Sequence, residues 1–155
     1  MELILWRHAE ATEGSPDKSR ELSARGHKQA AKMADWLDRN LPGSCRIVAS
    51  PTVRTVQTAE ALGRKFKLNE DLAPGTSPQN ILKAIGWPDG REPVVVVIGH
   101  QPSLGQLASL LLAGTIQSWT IRKASVWWIV ARDEATDGES ECYLKAVMGP
   151  ELVAR

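Results

Sequence analysis

An α/β layered domain is predicted by three features of the sequence. Short apolar runs, Leu3 to Trp6, Arg46 to Ala49 and Val94 to Ile98, alternate with stretches of helical apolar periodicity. The run Val94 to Ile98 is β-branched throughout, as suits a central strand buried on both faces. Two further strand-like runs, Ser125 to Ala131 and Glu141 to Val147, flank a turn-forming Ala135 to Gly138, which predicts antiparallel pairing near the end. No repeat or linker divides the chain, so one domain over residues 1–155 is expected.

The elements follow in order. Glu2 opens the first strand, and the polar stretch Ala11 to Ser19, with Gly14 and Pro16, reads as a loop. Ser23 fits the N-cap of a helix running to about Asn40, with Ala30, Ala34, Leu37 and Leu41 on one face and Pro42-Gly43 ending it. Thr52 to Phe66 predicts a second helix through Val56, Ala59, Leu62 and Phe66. Leu68 to Pro74 reads as irregular chain or a short edge strand, and Pro78 to Ile85 as a short helix with proline in its first turn. Leu104 to Leu112 is an apolar helix stopped by Gly114. Trp6 is expected in the core, whereas Trp127 and Trp128 alternate faces of a strand, one of them partly exposed.

Composition narrows the function. Apolar residues make up 43% and charged residues 24%, which matches globular averages and excludes a disordered tail or a fibrous rod. The 19 basic and 18 acidic residues leave a net charge of +1, so neither nucleic acid nor an anionic membrane is expected as a partner. Cys45 and Cys142 are too few for a disulfide framework, and no Cys/His cluster has metal-ligand spacing. No metal and no cofactor are expected. Leu3 to Trp6 is too short for a signal peptide, and no apolar run approaches the roughly 20 residues of a membrane span. A cytoplasmic monomer is the expectation.

Chemistry collects at the ends of three strands. Leu3 to Trp6 runs into Arg7-His8, Arg46 to Ala49 runs into Ser50-Pro51 and then Arg54, and Val94 to Ile98 runs through Gly99 into His100. In open α/β sheets, ligands bind beyond the carboxyl ends of the strands. If the three strands are parallel neighbours, Arg7, His8, Arg54 and His100 converge on one crevice. Two guanidiniums and two imidazoles around a point make an anion trap, and planar arginine donors suit phosphate oxygens. Of three histidines in the chain, two fall there. A zinc hydrolase using His8, His27 and His100 is disfavoured, because Arg7 and Arg54 would repel a cation; His27 is expected to be exposed.

These residues resemble a known family. Leu5-Trp6-Arg7-His8-Ala9-Glu10 is similar to the Arg-His signature of the histidine phosphatase superfamily, also called the phosphoglycerate mutase-like fold. Leu22-Ser23-Ala24-Arg25-Gly26 with Gln29-Ala30, Ser50-Pro51-Thr52-Val53-Arg54 with Gln57-Thr58-Ala59, and Gly99-His100-Gln101-Pro102 resemble its further motifs in the same order. The short chain and early Arg-His resemble the phosphohistidine phosphatase (SixA-type) branch in particular. The resemblance implies a three-layer α/β/α fold with a mostly parallel sheet. It also implies that His8 attacks phosphorus and water hydrolyses the phosphohistidine so formed. Arg7, Arg54 and His100 would neutralise the equatorial oxygens, each worth about 2–4 kcal/mol in the transition state. The backbone N–H of Gln101 is a further candidate phosphate donor.

A leaving alkoxide needs a general acid. In the region where the family places one, Asp71 fits best, ahead of Glu70; Glu10 and Asp17 in the first loop are alternatives. Phosphohistidine needs little such help, since its leaving imidazole titrates near neutrality. No long insertion interrupts the motifs, which predicts an open, shallow site able to accept a side chain on another protein and too little lid for mutase chemistry. The reading is a metal-independent phosphatase acting on phosphohistidine in proteins. The alternatives are a broad phosphomonoesterase for small sugar or nucleotide phosphates, and a non-catalytic module that binds a phosphorylated ligand.

Overall fold

Alternation along the strands builds a sheet with two apolar faces. The computed structural model describes residues 1–132 and 141–154. The strands are β1 (Glu2–Arg7), β2 (Arg46–Ala49), β3 (Lys67–Leu68), β4 (Val94–Gly99), β5 (Val126–Ala131) and β6 (Cys142–Met148), in the order β3-β2-β4-β1-β5-β6. β1 to β4 run parallel, β5 is antiparallel to β1, and β6 is antiparallel to β5. The turn expected at Ala135 to Gly138 lies outside the described residues.

Ile4, Trp6, Val96 and Ile98 face one core, covered by α1 (Ala24–Asn40) and α2 (Val53–Glu60). Leu3, Leu5, Val95 and Val97 face the other, covered by α3 (Pro78–Ile85) and α4 (Ser103–Ala113). All six residues of β4 are buried, because it lies inside the sheet between two helical layers. The result is the three-layer α/β/α arrangement expected. Among the described residues no helix is long and apolar enough to cross a membrane.

α1 starts where its cap predicts, the Ser23 hydroxyl accepting the Gly26 N–H at 3.0 Å. α2 is shorter than its periodicity predicts and ends at Glu60 rather than Phe66. The amides of Leu62 and Gly63 turn back onto the Ala59 and Glu60 carbonyls, and Gly63 takes a φ of +70°. Arg64 is then tied to Asp38 and to the Pro42 carbonyl. Leu62 and Phe66 still pack against the core, so the apolar pattern outlasts the helix that would ordinarily carry it. Trp6 is fully buried and donates to the Ala124 carbonyl at 2.9 Å. Trp128 is buried, whereas Trp127 is half-buried against Trp119.

One close approach fixes the first loop. A side chain at Gly26 would collide with the Glu10 carbonyl, where α1 abuts the chain leaving β1. Gly26→Ala is expected to cost about 1–3 kcal/mol by forcing the helix off that loop, read as a lowered urea midpoint at unchanged slope.

Candidate active site

The sheet order brings the three strand ends together. β4 lies between β1 and β2, with Arg7 opposite Gly99 and Ala49 opposite Ile98. The residues that follow therefore emerge side by side: the His8 amide donates to the Gly99 carbonyl and the Ser50 amide to the Ile98 carbonyl. The rings of His8 and His100 lie 5.4 Å apart, and Arg54 Nη2 approaches His100 Nδ1 at 3.4 Å. Arg7, His8, Arg54 and His100 thus meet at the carboxyl edge of the sheet.

The hydrogen bonds define which nitrogen is available. His8 Nδ1 lies 2.7 Å from the Ala9 carbonyl, which only accepts, so Nδ1 carries the proton and Nε2 keeps its lone pair. A guanidinium only donates, so His100 Nδ1 accepts from Arg54 and its Nε2 donates to Ser50 Oγ at 2.8 Å. Burial, followed by the positive charges of Arg54 and Arg7, depresses the His8 pKa to about 4. Burial, followed by the neighbouring His8 and Arg54, depresses that of His100 to about 3. Both imidazoles are neutral near pH 7, the state a nucleophilic nitrogen needs.

These depressed values fix a stability profile. Between the ordinary histidine pKa of about 6.5 and about 4 for His8, or about 3 for His100, the unfolded chain binds more protons than the folded one. Their contribution is present above the unfolded value and is lost as pH falls through that window. The urea midpoint is expected to drop from pH 6.5 to 4.5, and to drop less in His8→Gln and His100→Gln; equal slopes in all three proteins would contradict the assignment.

The arginines are held but not satisfied. Arg54, 5% exposed, donates to the Asp17 carbonyl at 2.9 Å and to its carboxylate at 3.0 Å. Arg7 donates to the Ile121 carbonyl at 2.9 Å. The Nε of each is buried without a partner among the described residues, and a buried charged donor left unpaired costs more than the usual 1–3 kcal/mol. Ala124, whose amide donates to the His8 carbonyl, sits at a φ of +62°, a strained backbone for a non-glycine residue held beside this cluster.

Several motif residues serve the backbone. Thr58 Oγ1 accepts the Ala9 N–H and donates to the Arg54 carbonyl, locking the chain after His8 to α2. Gln29 accepts the Glu10 N–H, and Gln57 accepts the Leu22 N–H. Ser50 was legible only as part of the Ser-Pro motif; nothing in the sequence marked it as the partner of His100.

Among the described residues, no hydrogen bond or ion pair ties the side chains of Asp71, Glu70 or Glu10 to Arg7, His8, Arg54 or His100. Asp71 is exposed, in the 3-10 turn Glu70–Leu72 after β3, with its main chain engaged by Asn69 and Thr76. Glu70 is exposed in the same turn. Glu10 accepts from Ser23. Asp17 is hydrogen-bonded to Arg54, but hydrogen bonds from Arg20 and Arg54 hold its carboxyl below the usual range, the wrong direction for a general acid. The Gln101 side chain is spent on the Gly105 N–H and the Trp119 carbonyl, which leaves only its backbone as a phosphate donor. His27 is exposed.

Comparison with known proteins agrees with this geometry. The family described as the histidine phosphatase superfamily (branch 1) matches residues 3–75. The chain is similar to phosphohistidine phosphatase SixA of Escherichia coli K12, at 29% identity over 74% of this chain and 76% of the relative. It is also similar to the SixA homologue of Haemophilus influenzae, at 26% over 72% and 77%. Among solved structures it superimposes on the protein histidine phosphatase SixA complexed with tungstate, with a TM-score of 0.81, 22% identity and 97% of each chain covered. The four motifs and the paired histidines between arginines make this chain similar to the histidine phosphatase superfamily, and to its SixA proteins in particular.

Proposed function

We propose that the protein hydrolyses phosphohistidine on other proteins, through covalent transfer of the phosphoryl group to His8 and without a metal ion. The observation that carries this reading is the pair of unpartnered, buried Nε donors on Arg7 and Arg54, flanking a neutral histidine whose Nε2 lone pair is free. A phosphoryl group satisfies both arginines where uncharged ligands would not. His8 Nε2 forms the N–P bond as the bond to the substrate imidazole breaks. That ring, protonated at its other nitrogen before attack, leaves as neutral imidazole, and the proton on His8 Nδ1 stays there, hydrogen-bonded to the Ala9 carbonyl. Arg7 and Arg54 take up the charge on the equatorial oxygens. His100 Nδ1 becomes a further donor once the bound dianion favours its protonation. Water then attacks phosphorus and returns His8 to its neutral state.

Two features favour phosphohistidine over an ordinary phosphate ester. Asp17, the candidate carboxyl hydrogen-bonded to the cluster, is held below the usual carboxylate range by Arg20 and Arg54, and an imidazole leaving group needs less protonation than an alkoxide. The connections around the site are short, which supports access by a side chain on a protein surface. The similarity to SixA proteins named for phosphohistidine supports the same substrate class.

The test is incubation in excess EDTA with a phosphohistidine-bearing protein and, separately, with p-nitrophenyl phosphate. Phosphate release from the first, much faster than from the second and lost in His8→Ala, is the expected result. Comparable turnover of both would favour a broad phosphomonoesterase, and phosphate binding with no turnover would favour a binding module.

A further inference from the structure

We propose that a groove beside the catalytic cluster, between the start of α1 and the segment Thr120–Lys123, binds carboxylates that flank the phosphorylated residue of the protein substrate. The inference rests on the reading above that the substrate is a phosphorylated protein. The groove has a volume of about 480 Å³ and is lined by Arg7, Arg25, Arg122 and Lys123, with Glu10 and Glu151 as the acidic members. It opens at the carboxyl end of β1, because β5 runs antiparallel and brings the chain before Val126 next to Trp6. Arg7 belongs both to this groove and to the phosphoryl site, so a chain bound in one reaches the other without a gap.

The charge in the groove is surplus to the fold. Glu10 already accepts from Ser23, and Glu151 is only 4.0 Å from an Arg122 that is itself 80% exposed. The side chains of Arg25 and Lys123 have no hydrogen bond or ion pair among the described residues, whereas Arg20, Arg54 and Arg64 are each paired with an aspartate. Arg25 also occupies the first turn of α1, which holds no acidic residue. A cation there opposes the positive end of the helix dipole and costs the helix some stability. Folding alone would favour the opposite charge. A carboxylate ligand reconciles the arrangement, since it is drawn both by the four cations and by the helix end.

The partner is therefore a segment with Glu or Asp next to the phosphohistidine. Two phosphohistidine peptides, identical except for Glu or Ser at the two positions on each side, separate the terms. The protein is expected to turn over the Glu peptide with a kcat/KM about five- to tenfold higher at low salt, carried by KM and fading as salt rises. The variant Arg25→Ala/Arg122→Ala/Lys123→Ala is expected to lose that preference and keep the rate on the Ser peptide. Equal rates on both peptides, or a preference surviving in the variant, would overturn the groove while leaving the phosphohistidine reading intact. The unphosphorylated Glu peptide gives a second measurement, independent of turnover. Binding by the parent protein and loss of binding in the variant supports the groove, and no binding by the parent overturns it. Failure to hydrolyse either peptide while p-nitrophenyl phosphate is consumed would instead overturn the substrate reading.

Discussion

His8→Ala is expected to lower kcat by about four to six orders of magnitude, the scale seen when a covalent nucleophile is removed from a preorganised site. The loss would not be a folding effect. Among the described residues His8 makes a single side-chain hydrogen bond, to the Ala9 carbonyl next to it, and removing a buried imidazole with a depressed pKa relieves acid sensitivity. The variant is therefore expected to bind phosphate, through Arg7, Arg54 and His100, while failing to turn over substrate. A rate within about a hundredfold of the parent would show that another group attacks phosphorus. Single-turnover kinetics with the phosphohistidine protein, alongside phosphate binding by calorimetry, gives both numbers.

Arg54→Ala is expected to cut kcat/KM by about 10²- to 10³-fold, the usual cost of deleting one donor to transition-state charge. Arg54→Lys should recover little of it. The guanidinium simultaneously contacts the Asp17 carbonyl, the Asp17 carboxylate and His100 Nδ1, and a point ammonium cannot span those three directions. Asp17→Asn offers the contrast. Its carboxylate holds Arg54 in the free protein but would repel a phosphate dianion, so the amide is expected to leave kcat within about tenfold and to strengthen phosphate inhibition a few-fold. A collapse of activity in Asp17→Asn equal to that in Arg54→Ala would identify Asp17 as a participant in the chemistry.

The core of the site was readable from the sequence for a topological reason. Strand, then Arg-His; strand, then Ser-Pro with Arg54; strand, then His100: each is a local pattern, and parallel neighbours place such ends together. The strands were equally plain, because β-branched and apolar runs buried on both faces leave little ambiguity. What was not legible depends on contacts across the fold. Phe66 carries helical periodicity yet packs from extended chain, since Gly63 and the pairing of Arg64 with Asp38 end α2 first. Asp17 is an ordinary loop aspartate until folding sets it against Arg54. Ser50 gains its meaning only when β4 delivers His100 beside it. Asp71 had the right spacing along the chain, but the 3-10 turn that carries it leaves its side chain exposed.

The stereochemical course at phosphorus tests the account most directly. A thiophosphoryl substrate made chiral with oxygen isotopes, hydrolysed in isotopically labelled water, yields thiophosphate whose configuration records the number of in-line displacements. Transfer to His8 followed by hydrolysis is two displacements, so retention of configuration is the predicted result, whether or not the intermediate accumulates. Inversion would mean a single direct attack by water, and would contradict the assignment of His8 as the nucleophile.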